Sequence, residues 1–149
     1  VEQVRVLGID YGTRNLGFAV SDELAMVARE IGSCKYINDQ QLISEIGGLI
    51  RLYEAKKVVL GYPLREDGTP GSLCPHIDRL AALLTEQLGI EVVKWDETLT
   101  TCGAEEILSQ RGYDWRQRKK HVDKIAAALL LQDYLDRQGD QMVEARGKW

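Results

Sequence analysis

Three carboxylates stand where an acid is locally awkward, and they are the residues of this chain best suited to chemistry. Asp10 closes the apolar run Val4 to Ile9, Glu97 (beside Asp96) follows the run Val92 to Trp95, and Asp123 lies among Val122, Ala126 and Ala127. A carboxylate that ends a buried strand is costly unless it is solvated, hydrogen-bonded or bound to a cation. Three such groups brought together would repel one another unless a cation sat between them. Oxygen ligands at a site that keeps bound waters suit Mg²⁺ or Mn²⁺. Two such ions about 4 Å apart can activate a water and stabilise the leaving oxygen in phosphodiester hydrolysis. Each acid also has a plainer role open to it. Asp10 can form a turn, Asp96 and Glu97 can line a solvated loop before a helix capped by Thr100 or Thr101, and Asp123 can pair with Lys119 or Lys120 at helical spacing. Catalysis needs all three to meet, which sequence alone does not show.

The elements that would carry them follow from periodicity. Val4 to Ile9 and Leu16 to Val20 are two β-rich runs joined through Gly12, and pair naturally as an antiparallel hairpin. Arg29 to Ile37 supplies a third strand. Asp39 is the expected N-cap of a helix that carries Leu42, Ile43, Ile46, Leu49, Ile50 and Tyr53, with Gly47 and Gly48 where its backbone packs closely on the sheet. Lys57 to Tyr62 reads as a buried strand ending before Pro63, and the turn-rich stretch Pro63 to Ser72 as the most mobile segment. A second helix runs from Leu73 to Leu88 with Gly89 just past its end, then a strand from Glu91 to Trp95. A third helix bears Ala104, Ile107 and Leu108 and stops at Gly112; a last one spans about Lys119 to Arg137. The alanines of that last helix would let it lie close to the sheet and bring Asp123 to the strand ends. A hairpin followed by alternating helices and strands is an α/β pattern: a mixed central sheet with helices on both faces. One domain over residues 1–138 and a loose C-terminal tail over 139–149 are expected.

Composition sets the boundaries. With 149 residues, 44% hydrophobic and 28% charged, the chain can bury a sizeable core. No run approaches the roughly 18 apolar residues of a membrane span, so no membrane partner is expected. The N-terminal residues resemble neither a secretory nor a transit segment, and a cytoplasmic protein is expected. Cys34, Cys74 and Cys102 are widely spaced, without the pairing of a zinc site or a disulfide framework. The net charge of −4 argues against a generic nucleic-acid coat but leaves room for a local basic patch. Such a patch exists: Arg116, Arg118, Lys119, Lys120, His121 and Lys124 lead into the helix of Asp123. Lys119, Lys120 and Lys124 are the candidates to draw a phosphate backbone toward the acids. Near Asp10, Gly12 allows close backbone approach, Thr13 offers a hydroxyl and Arg14 a cation. Trp95, Tyr113 and Trp115 could stack on bases, although aromatics at strand ends more often pack. A strand-end Asp followed by Gly and Thr also occurs in sugar kinases and actin-like ATPases. Those close two domains around a nucleotide, and 149 residues leave room for one.

Four blocks, in order, resemble the YqgF/RuvX family: GIDYGTRNLGFAVSD from Gly8 to Asp22; VLGYPL from Val59 to Leu64 with Asp67 to Thr69; Asp96-Glu97 with Leu99 to Thr101; and Asp123 to Ala127 running into Leu131 to Leu135. They span nearly the whole chain. The resemblance implies a ribonuclease H-like fold, similar to Holliday junction resolvases, and a nuclease role in maturing the 5′ end of precursor 16S ribosomal RNA. It places the family's acidic triad on Asp10, Glu97 and Asp123, the same three acids. One departure stands out: the family's usual Arg after the Asp-Glu pair is Thr98 here, which touches phosphate affinity rather than metal ligation. The expected partner is nucleic acid, structured RNA ahead of branched DNA, with ribosomal precursor particles as its setting and the protein a monomer or homodimer. The alternatives are a Holliday junction resolvase acting on branched DNA and a non-catalytic RNA-binding module of ribosome assembly.

Overall fold

The computed structural model describes residues 4–96, 110, 112 and 125–138. Among them the sheet has five strands: β1 (Arg5–Tyr11), β2 (Asn15–Ser21), β3 (Ala28–Lys35), β4 (Ala55–Tyr62) and β5 (Glu91–Asp96). Their spatial order is β3-β2-β1-β4-β5. β1 and β2 form the expected antiparallel hairpin, β3 joins β2 antiparallel, and β4 and β5 run parallel to β1. Strand β1 is therefore central, and the C-terminal ends of β1, β4 and β5 share one edge of the sheet.

Alternation along β1 sorts its side chains into two cores. Leu7, Ile9 and Tyr11 join Leu16, Phe18, Val58 and Leu60 on one face, under helices α1 (Asp39–Tyr53) and α2 (Cys74–Leu83). Val6 joins Ala19 and Val59 on the other, under a helix over 125–138 that contributes Ala127, Leu131, Tyr134 and Leu135. A strand covered on both sides must be apolar on both, which is why the run Val6 to Ile9 does not alternate in polarity. The second face is built from small side chains, so its helix sits close: a Cβ on Gly8 would lie 2.9 Å from Leu131 Cβ and 3.4 Å from the Ala127 carbonyl oxygen.

Several expectations shift by a residue or a neighbour. The N-cap of α1 is Asn38, whose carboxamide oxygen accepts from Gln41 N–H at 2.8 Å. Asp39 is the first helical residue instead, where its carboxylate accepts from the Tyr36 hydroxyl at 2.7 Å and pairs with Arg79 at 3.2 Å. Tyr36 thus leaves the sheet, and β3 ends at Lys35. Glu54 closes α1 in the left-handed region (φ 55°), so β4 starts at Ala55 rather than Lys57. Gly47 lies against Leu88 of the neighbouring helix and not against the sheet, and Gly48 has nothing within 4 Å of where a Cβ would stand. Gly48→Ala is accordingly expected to raise stability by about 0.5–1 kcal/mol, because alanine loses less backbone freedom on folding; thermal melting checks it.

Helix α2 continues into a π-helical turn, Leu84–Leu88, and ends at Gly89 with φ 61°, its N–H donating to Thr85 O. The stretch expected to be mobile, Pro63 to Ser72, is laced by its own hydrogen bonds. Arg65 N donates to Thr69 O at 2.7 Å and Gly71 N to Pro63 O at 2.8 Å. Asp67 accepts from both the hydroxyl and the backbone N–H of Thr69, and these two bonds hold its carboxyl below the ordinary carboxylate range. The third helix expected around Ala104 to Leu108 and the tail over 139–149 lie outside the described residues.

Candidate active site

The centre of the site is set by where β1 stops. Asp10 belongs to the strand, paired with Gly17 of β2, while the turn begins at Gly12, whose N–H donates to Asn15 O at 2.9 Å. The backbone of Asp10 is therefore part of the strand and not of the turn. Its side chain falls on the face of Val6 and Gly8, and only 8% of the residue is exposed. Gly17 is its partner on one side. On the other, Ile9 pairs with Leu60 of β4, so the position level with Asp10 is Gly61, itself paired with Trp95 of β5. A glycine on each side leaves the row beside this carboxylate without side chains, at the edge of the sheet where β4 and β5 also end.

The 125–138 helix runs antiparallel to β1 across this face. Tyr134 meets Lys57, whose ammonium donates to the Tyr134 hydroxyl at 3.1 Å, and Lys57 is in register with Val6. Leu131 and Ala127 lie over Gly8, further along β1 toward Asp10. Residue numbers in the helix therefore fall as β1 rises toward Asp10. The helix is anchored to β3 and the β2–β3 turn by Gln132, which accepts from Ala28 N at 2.8 Å and donates to Met26 O at 2.9 Å.

Of the nine residues singled out from the sequence, four are described. Asp10 stands near the end of β1, Gly12, Thr13 and Arg14 follow Tyr11 in the turn, and Thr13 and Arg14 are exposed to solvent. The Arg14 carbonyl accepts from Tyr36 N at 2.9 Å, which ties the turn to the end of β3. Glu97, Asp123, Lys119, Lys120 and Lys124 lie outside the described residues, as does Thr98. Among the described residues no three His, Cys, Asp or Glu side chains gather as a metal cluster, and no helix is long and apolar enough to cross a membrane.

Two polar networks near this edge escape sequence reasoning, because they join residues far apart in the chain. The Trp95 indole N–H donates to the Asp133 carboxylate at 2.8 Å, and the Trp95 ring meets Tyr134 edge-on with centroids 5.2 Å apart. Trp95 is thus a packing residue; its strand-end position was the available signal. On the opposite face the Lys94 ammonium lies 2.6 Å from Asp78, which also accepts from the Tyr62 hydroxyl at 3.2 Å. Desolvation, and then that hydrogen bond, push the Tyr62 hydroxyl up to about 12, so it remains a neutral donor. This network ties α2 to the ends of β4 and β5.

The chain has extensive similarity to known proteins. The family described as "RuvX: Holliday junction resolvase" matches residues 4–137. A protein of Syntrophus aciditrophicus (strain SB), named as a candidate pre-16S rRNA nuclease, is 46% identical over 133 residues, 89% of each chain. A protein of Bacillus subtilis (strain 168) with the same name is 40% identical over 136 residues, 89% of this chain and 98% of that one. Among solved structures, T. thermophilus RuvC in complex with a Holliday junction substrate superposes with a TM-score of 0.55 at 16% identity, covering 91% of this chain and 96% of the other. The fold is ribonuclease H-like.

Proposed function

The chain belongs to the RuvX family, and on that premise we propose that it is a metal-dependent nuclease, its domain spanning residues 1–138, that hydrolyses phosphodiester bonds in 5′-end maturation of precursor 16S rRNA. The observation that carries this reading is the setting of Asp10: a carboxylate 8% exposed, inside a strand rather than a turn, with a glycine on each side. A carboxylate in that position is stabilised by hydrogen bonds, by an opposite charge or by a bound cation, and the last of these is the role its strand-end place suits. The candidate relatives' shared name supplies the RNA substrate, and the direction of the 125–138 helix supports Asp123 as a second acid, one turn before Ala127 in sequence.

The donor chemistry fits Mg²⁺ or Mn²⁺: buried Asp10 offers hard carboxylate oxygen at a strand end, and Glu97 and Asp123 would complete the set. When bound, such an ion supplies an acidified water and charge neutralisation at the scissile phosphate. The chain's own residues do the rest. Asp10, held in β1 by its pairing with Gly17, would fix one ligand direction without loop motion. Thr13 and Arg14 stand exposed in the turn that follows it, where a hydroxyl and a guanidinium can hold a phosphate, and Gly12 lets the backbone of the nucleic acid come close. Lys119, Lys120 and Lys124 extend that attraction along the approach to Asp123. With Thr98 in place of arginine, Arg14 is the residue on which phosphate binding rests most heavily. The working partner is structured RNA in ribosomal precursor particles in the cytoplasm.

A second reading is favoured by the family's description and the likeness to RuvC: a resolvase cutting branched DNA with the same acids. Labelled precursor-16S leader RNA, a DNA four-way junction and unstructured RNA, each with Mg²⁺, Mn²⁺ or EDTA, separate the two. Metal-dependent cutting of the leader alone is expected. Selective cutting of the junction would replace the RNA reading with the resolvase, and EDTA-resistant binding of the leader with no cutting under either metal would leave an RNA-binding module.

A further inference from the structure

We propose that Lys35, at the end of β3, is a further nucleic-acid contact: an exposed ammonium on the face of Asp10, set beside Arg14, that holds a phosphate other than the one at the acids. The proposal extends the nucleic-acid reading of this edge and rests on it. Strand pairing, and not local sequence, puts Lys35 there. Far from the edge, Ala28 of β3 lies opposite Ser21 and Glu30 opposite Ala19; nearer to it, Gly32 lies opposite Phe18, Ser33 opposite Gly17 and Lys35 opposite Asn15. Ile31 is therefore an extra residue, and it reverses the alternation of the strand. Ala28 packs against the second core, whereas Ile31, Cys34 and Tyr36 pack against the first. Lys35, between Cys34 and Tyr36, thus stands on the second face. So does Ser33, whose partner Gly17 is also the partner of Asp10. Without the extra residue, Lys35 would fall on the face of α1 and α2.

Two cations then meet at one end of the sheet. Lys35 lies opposite Asn15, the residue after Arg14, and Tyr36 N donates to the Arg14 carbonyl at 2.9 Å. Arg14, Asn15 and Lys35 are all exposed. Neither cation has an ion pair among the described residues. The acid nearest to Lys35 in sequence, Asp39, is taken up by Arg79 and the Tyr36 hydroxyl. Like charges set side by side repel, and anions laid along them relieve that repulsion. A phosphate backbone supplies such anions in a row, at a gain that comes from released counterions and ignores base sequence. Position settles the part that Lys35 plays. β3 is two strand spacings from β1, about 10 Å, so its ammonium meets a neighbouring phosphate and not the scissile one. Its loss weakens binding and leaves the chemistry at the acids intact.

The test is binding of fluorescently labelled precursor-16S leader RNA to the full chain in EDTA, read by anisotropy from about 50 to about 200 mM salt. Lys35→Ala is expected to weaken binding about tenfold at the low end and to flatten the plot of log affinity against log salt by about 0.7–0.9, the share of one phosphate contact. Lys35→Arg keeps the cation and the parent's slope. Lys56→Ala removes the same charge from an exposed residue at the other end of the sheet and is expected to change neither quantity. Lys35→Gln, which keeps most of the stem, repeats the result if melting shows that the alanine disturbs folding. At saturating RNA with Mg²⁺, Lys35→Ala cleaves within about twofold of the parent; a loss as large as that of Asp10→Asn would place Lys35 at the reacting phosphate and overturn the assignment. A parent-like slope in Lys35→Ala also overturns it, and if Arg14→Ala flattens the slope in the same series, the reading of the edge still stands. An equal change in Lys56→Ala would trace the effect to net charge alone. If the parent binds neither the leader nor a DNA four-way junction, the nucleic-acid reading fails and this proposal fails with it.

Discussion

Asp10→Asn is expected to lower phosphodiester cleavage at least about a thousandfold, equivalent to about 4 kcal/mol of transition-state stabilisation, while the protein stays folded. The two halves of that result have separate physical sources. Strand β1 is held by backbone pairing to β2 and β4 and by the burial of Val6, Leu7 and Ile9, none of which needs a charge at position 10. Asparagine preserves the shape of the side chain and removes the anion. A buried carboxylate has a desolvation cost that the amide largely escapes, so melting within a few degrees of the parent is expected. Single-turnover cleavage and a thermal melt, run on the same preparation, decide the matter. A variant that melts far below the parent would instead make Asp10 a structural residue, and full activity in a well-folded variant would remove it from the site.

Gly8→Ala is expected to destabilise the fold by about 1–3 kcal/mol, and Gly8→Val by more. The added Cβ would stand 2.9 Å from Leu131 Cβ, closer than two such atoms approach in real structures. Flexibility at the end of a side chain cannot relieve this, because a Cβ moves only with its own backbone. The helix must therefore lift from the sheet. Two consequences distinguish this from ordinary overpacking. Leu131→Ala does not rescue Gly8→Ala, since alanine keeps the offending Cβ, and it adds the cost of a cavity where a fully buried leucine stood. Cleavage falls more than the melting loss accounts for, because the displaced helix is the one that leads to Asp123. Melting of the single and double variants, with activity measured well below their transitions, tests both. Rescue of Gly8→Ala by Leu131→Ala would show that the leucine's outer methyls, rather than the helix backbone, set the spacing.

The described elements were legible in the sequence because each is announced by local physics. The β1–β2 hairpin follows from two β-rich runs around a short turn, α1 from its helical spacing, and the end of the second helix from Gly89. Where the reading slipped, two neighbours could serve the same role locally and a distant contact chose between them. Asn38 and Asp39 are both good N-caps; Asp39 is drawn into the helix by Tyr36 and by Arg79, the latter 40 residues away. Pro63 to Ser72 has the turn residues of a loose loop, yet it closes on itself through the Gly71 N–H to Pro63 O bond and is tied to the start of α2 by Cys74 Sγ, which donates to the same carbonyl.

For the site, the sequence by itself determined which residues are chemically eligible: an acid at a strand end is awkward wherever the strand goes, and the resemblance to the family implies the same three positions. It also determined that Thr13 and Arg14 follow the first acid within four residues, in the turn that Gly12 opens. Only the tertiary structure decided that Asp10 belongs to the strand rather than the turn, that Gly17 and Gly61 leave the row beside it empty of side chains, and that Trp95 reaches Asp133. Those are facts of register and of helix placement. A one-residue shift in strand pairing would put the same acid on the opposite face, and no local propensity distinguishes the two until both cores are packed.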